Sequence, residues 1–129
     1  MTNKEYIDTA VNNEFHTLYE RNLVKCYLYY WILRKPETNE QYFNFEIANM
    51  LLITPKMVSN YLWRMEKEGN RRKDPFLKPD FETKLDNVEN ACLAYSTKLS
   101  IDRGRAILES SRERMKRAKQ NIIFNYNLN

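Results

Sequence analysis

A chain of 129 residues with 43% hydrophobic and 29% charged content is the size and composition of one soluble domain, or of one domain with a helical extension. Two glycines and four prolines leave few breaks and favour helices. The net charge of +4 and pI near 9.0 allow a polyanionic partner. They do not require one.

Residues 1–12 read as a lead-in or a short helix, with Tyr6, Ile7 and Ala10 able to cover a core edge. From Asn13 to Arg34 apolar residues recur at three- and four-residue steps: Phe15, Leu18, Tyr19, Leu23, Cys26, Tyr27, Tyr30 and Trp31. Leu28 and Ile32 widen that surface, so this helix is expected to be buried on more than one side. Pro36 pushes the residue before it out of the helical region and ends the helix. Asn44 is a candidate N-cap for a short helix. Ile47 and Leu51 share one face of it. Thr54-Pro55 then announces a second helix, with Thr as N-cap and Pro where its missing N–H costs nothing. Val58, Leu62 and Met65 form its apolar stripe, and Gly69 is expected to end it as a left-handed C-cap.

The elements Ile47-Ala48, Leu51, Ile53, Thr54, Val58-Ser59, Leu62, Met65 and Gly69 resemble the helix-turn-helix of winged-helix and related bacterial DNA-binding domains. Ala48 stands in the small-residue slot of that pattern, and Leu52 stands where a Gly or another turn-former is usual. The resemblance implies a mainly α fold: a three-helix helix-turn-helix core over residues 1–70, its third helix provided by the long aromatic segment before it. After Gly69 a winged domain would show two strands and a basic loop. Residues 71–80 carry Arg71-Arg72-Lys73 and two prolines without strand alternation, so a basic loop with a short or absent wing is expected.

Residues 81–129 are expected to form helical extensions. Leu85, Val88, Cys92, Leu93 and Tyr95 give one helix its apolar side, Ser100 to Gly104 reads as a break, and a last helix runs to about Ile123. In that last helix Leu108, Ser111, Met115, Ala118 and Ile122 alternate three and four apart, a heptad-like seam. It suits either packing onto the chain's own domain or a homodimer through this helix. Arg103, Arg105, Arg112, Arg114, Lys116, Arg117 and Lys119 offer a second phosphate-contact surface. The tail from Asn121 to Asn129 could pack in cis or in trans.

Charge is unevenly spread: residues 56–79 are net +4 and residues 103–129 net +5, whereas residues 1–55 and 80–102 are net negative. Major-groove recognition needs an exposed helix with polar side chains aimed at base edges. With Val58, Leu62 and Met65 inward, the outer face carries Lys56, Ser59, Asn60, Trp63, Arg64 and Lys67. Asn60 has the donor–acceptor pair for adenine, Lys56 and Arg64 can reach guanine or phosphate, and Thr54 with the helix's amide end favours a phosphate. Arg71, Arg72 and Lys73 would add backbone contacts. Trp63 is either a partner contact on this DNA-facing side or, the favoured reading, packed beneath another segment such as the C-terminal helices.

No Gly-rich phosphate loop, GxSxG, HExxH or Cys/His pairing is present, so neither an enzyme nor a metal or cofactor site is expected. His16 stands alone, and no small-molecule ligand is indicated. Cys26 and Cys92 lack CxxC context and are expected as reduced, buried thiols. The longest apolar run, Cys26 to Leu33, is too short to cross a bilayer, and Met1 to Glu5 lacks the core of a signal peptide, so a cytoplasmic protein without membrane contact is expected. The functional expectation is sequence-specific binding of double-stranded DNA in a phage, plasmid or other mobile element, serving transcription, replication or transfer. The competing one is a protein-interaction module in which the helix-turn-helix is only a scaffold.

Overall fold

The computed structural model describes residues 1–128, with side chains described for all but Glu68, Ile107, Ser111, Arg114 and residues 117–128. The secondary structure there is helical throughout: α1 (Asn3–Glu14), α2 (Leu18–Trp31), α3 (Asn44–Leu51), α4 (Pro55–Glu66), α5 (Glu68–Arg72) and α6 (Phe81–Leu128). The mainly α class is as expected, and no strand of a wing occurs among the described residues. Two compact units divide the chain, Met1–Ser96 and Thr97–Asn129.

The core of the first unit is organised around α2. Leu23, Val24, Cys26, Leu28 and Tyr29 are all buried, more than one face of a helix can hold, and α2 packs against α1, α3 and α4. Ile7 and Val11 of α1, Ile47 and Ala48 of α3, and Val58, Leu62 and Met65 of α4 close onto it. Phe81, Leu85, Val88 and Cys92, at i, i+4, i+7 and i+11, bring the start of α6 into the same cluster. Residues 81–96 thus belong to the first unit rather than to an extension. Four contacts fix where they go. Phe81 meets Phe15 with ring centroids 5.3 Å apart, Tyr27 donates to Glu89 Oε1 at 2.9 Å, Tyr6 stacks on Tyr95 at 4.0 Å, and Ser96 Oγ lies 3.4 Å from the Ile32 carbonyl.

Four expectations are corrected. The helix expected from Asn13 begins only at Leu18, because Thr17 caps α2 by accepting the Glu20 N–H at 3.2 Å while Arg21 Nε donates to the Phe15 carbonyl at 2.7 Å. Phe15 is buried from the intervening turn, and Leu18 is exposed. Asn44 is the first residue of α3, not its cap; Phe43 precedes it, and the Phe43 N–H donates to Glu46 Oε1 at 3.0 Å. Gly69 does not cap α4: Lys67 ends that helix in an extended conformation, and Gly69 lies inside α5 with negative φ. The break expected from Ser100 to Gly104 is absent, and α6 runs on for 48 residues. A helix-interior Gly costs about 1 kcal/mol relative to Ala, too little to end a helix flanked by strong helix formers.

In the second unit Ile101, Leu108 and Met115 are exposed, as are Arg105, Arg112 and Lys116, while Arg103 is half-buried. The side chains of Ser111, Arg114, Arg117, Ala118, Lys119 and Ile122, and those of the tail from Asn121 onward, lie outside the described residues.

Candidate nucleic-acid interface

Local sequence explains the α3–α4 hairpin. Leu52 ends α3 in the left-handed region, φ 57° and ψ 44°, and the Ile53 N–H donates to the Ala48 carbonyl at 3.0 Å. That one residue turns the chain. The Thr54 hydroxyl accepts the Met57 N–H at 3.2 Å and Pro55 occupies the first position of α4, both as expected. Only residues 52–54 separate the two helices. Val58, Leu62 and Met65 then face the core, with Leu51 and Ile53 half-buried beside them.

The opposite face of α4 is open. Lys56, Ser59, Asn60, Trp63, Arg64 and Lys67 are all exposed, and so is Thr54 at its head. Ser59 accepts a hydrogen bond from Asn44 Nδ2 at 2.9 Å, which ties the start of α3 to the middle of α4. Arg64 Nη1 donates to the Tyr19 hydroxyl at 2.7 Å, and that hydroxyl donates to Asp74 Oδ2. The hydrogen bond to Tyr19 raises the Arg64 pKa; burial, then the Asp74 contact, raises that of Tyr19. Arg64 is thereby tethered to Tyr19 while its side chain stays exposed. Asn60 borders a hollow of about 230 Å³ shared with Tyr19, Met57, Tyr61 and Arg64.

The basic segment splits. Arg72 and Lys73 are exposed, but Arg71 turns inward. Its guanidinium forks onto Glu82, with Nε to Oε1 at 2.7 Å and Nη2 to Oε2 at 3.2 Å, and donates to the Met65 carbonyl. Arg71 thereby fastens α5 to the end of α4 and the start of α6, a structural assignment in place of the expected phosphate contact.

Trp63 is corrected too. It is 63% exposed rather than packed beneath the C-terminal helices, because the buried stripe of α6 turns toward α1 and α2. Trp63, Arg64, Asn70, Lys73, Asp74, Pro75 and Phe76 line a cleft of about 350 Å³ on this face. The residues missed in the sequence are Tyr19, Asn44, Asp74 and Phe76. Only Asp74 carried a local signal: Asp-Pro opens a turn in which Asp74 Oδ1 accepts the Phe76 N–H at 2.9 Å. Tyr19 and Asp74 are separated by 55 residues, and nothing in either neighbourhood links them.

Among the described residues no group of three His, Cys, Asp or Glu could hold a metal ion. Cys26 and Cys92 are buried free thiols, as expected, and burial pushes both to about 12. No described helix is long and apolar enough to cross a membrane. No family model, characterised protein or solved structure matches the chain.

Proposed function

We propose that the protein is a sequence-specific double-stranded DNA-binding protein that lays α4 in the major groove. The observation that carries this is the division of α4 into two faces. One side is locked into the core by Val58, Leu62 and Met65, and the other presents Lys56, Ser59, Asn60 and Arg64 to solvent behind a capped amide end. The three-residue, left-handed turn before it is the connection a helix-turn-helix requires, made here by Leu52 in place of the usual turn-former. Asn60 reads adenine, Arg64 and Lys56 reach guanine or phosphate, and Arg72 and Lys73 hold the backbone. Two copies joined through α6 would match paired half-sites. The protein acts by binding rather than catalysis, in the cytoplasm, as a regulator or accessory factor of a phage, plasmid or other mobile element, an origin suggested by its Asn- and Lys-rich, Gly-poor composition.

Selection of bound sequences from a random duplex pool, followed by a salt titration, tests this. A defined site and a steep salt slope are expected, since each neutralised phosphate contributes about 0.9 to the slope. Asn60→Ala should relax the preference at one position, whereas Arg72→Ala should weaken every sequence alike and lower the slope by about 1. Absence of duplex binding at low salt would remove the reading. A protein partner is the second reading, favoured by the exposed Phe43 and Phe45 rings, stacked with centroids 6.0 Å apart at the N-terminal end of α3.

A further inference from the structure

We propose that the cleft beside α4 receives an unpaired nucleobase from a single-stranded segment adjoining the bound duplex, an inference that rests on the duplex-binding reading. Trp63 and Phe76 are 63% and 73% exposed, and both line the same hollow of about 350 Å³. Two large aromatic rings left in water are costly unless something covers them, and here they border a shallow, open hollow. Its size falls at the lower end of small-ligand sites, enough for a nucleoside and too small for a helix. Aromatic side chains are the usual platforms for unstacked bases, because every base has a face that stacks.

The charge at the rim suits the strand that would carry the base. Arg64 and Lys73 both line the cleft. The carboxylate in its wall, Asp74, is answered from within the protein: Oδ2 accepts the Tyr19 hydroxyl and Oδ1 the Phe76 N–H at 2.9 Å. Two cations, Arg64 and Lys73, thus stand against one carboxylate in the lining, which leaves the cleft with a net positive charge toward an incoming phosphate. Trp63 and Arg64 also belong to the exposed face of α4, so the cleft continues the duplex surface. A strand leaving the duplex can enter it directly from the face of α4, and its phosphates would meet Arg64 and Lys73 at the rim, which favours nucleic acid over an unrelated peptide.

The test uses the full chain with Trp31→Phe, which leaves Trp63 as the sole tryptophan emitter. Three probes are compared: the selected duplex with blunt ends, the same duplex with a short single-stranded thymidine extension, and a thymidine oligonucleotide alone. The extension should tighten binding about tenfold and quench Trp63 emission beyond the blunt duplex. In the otherwise native chain Trp63→Ala and Phe76→Ala should abolish the gain, whereas Trp63→Phe should keep it, with helicity by circular dichroism confirming the fold of each. Blunt-duplex binding with no gain in affinity or quenching from the extension overturns the cleft and leaves the duplex reading intact. Quenching by the oligonucleotide without duplex binding keeps the cleft and removes the duplex reading. Binding of no probe removes both.

Discussion

Leu52 is where the turn and the amino acid disagree. Its φ of 57° lies in the region that costs a residue with a Cβ roughly 1–2 kcal/mol, and at 90% exposure its side chain recovers little by packing. Leu52→Gly should therefore raise stability by about 0.5–1 kcal/mol after glycine's extra chain entropy is subtracted, seen as a higher urea midpoint with unchanged slope. An unchanged or lower midpoint would show that the turn is not left-handed. Asp8 makes the opposite kind of contribution. Its carboxylate lies 2.8 Å from Lys4 Nζ and 2.9 Å from Lys25 Nζ, and Lys25 is buried. Burial works to raise its pKa, but the hydrogen bonds from Lys4 and Lys25 prevail and hold it below the usual carboxylate range. A depressed folded pKa means that this stabilisation is present above the unfolded value, about 3.9, and is lost as pH falls through the folded one. Asp8→Asn should cost about 1–2 kcal/mol at neutral pH and flatten the loss of stability below about pH 4. An equal acid-induced loss in variant and native protein would refute the assignment.

At the scale of elements, legibility followed how local each cause is. Thr54-Pro55 marked the start of α4, and Val58, Leu62 and Met65 its buried face, because caps and periodicity act within a turn or two. The aromatic spacing of α2 continues backward through Phe15, which hid the break; Thr17 with Glu20 was the readable counter-signal. Gly69 misled for a different reason. Glycine after a helix suggests a left-handed cap, but what holds this junction is Arg71 forked onto Glu82, 11 residues away, with no trace in the residues between. A substitution separates the two readings. A Cβ added at Gly69 meets nothing within 4 Å, and the residue is helical with negative φ. Gly69→Ala should then stabilise the protein by about 0.5–1 kcal/mol. A left-handed cap would make the same change destabilising by about 1 kcal/mol, so the sign of the shift in thermal midpoint decides.

For the whole molecule, the distribution of charge and the exposed side of α6 bear on how many copies act together. Residues 56–79 and 103–129 hold the positive charge, so under the proposed function the stretch from α4 through α5 and the later part of α6 would both offer cations to a phosphate backbone. Later α6 also exposes Ile101, Leu108 and Met115 at seven-residue intervals. Seven is the repeat that keeps one face of a helix against a partner helix, and three bulky apolar side chains on that face invite a second copy. Arg105 and Arg112 lie beside the same face, so like charges would meet across such a pair and oppose it. If the protein binds DNA as proposed, phosphates between two copies would relieve that repulsion, and pairing is then expected to be stronger on DNA than off it. Light scattering should accordingly give a mass that rises with protein concentration and sits closer to two copies when the selected duplex is present. Leu108→Glu adds an acid at the centre of the face, in the unit that does not hold the core residues Phe81 to Cys92. It should leave the stability of the first unit within about 0.5 kcal/mol of native, as surface changes usually do, while reducing both the paired mass and the preference for two half-sites. A native chain that stays monomeric on and off DNA would instead assign the face to contacts other than pairing, with α4 reading a single site.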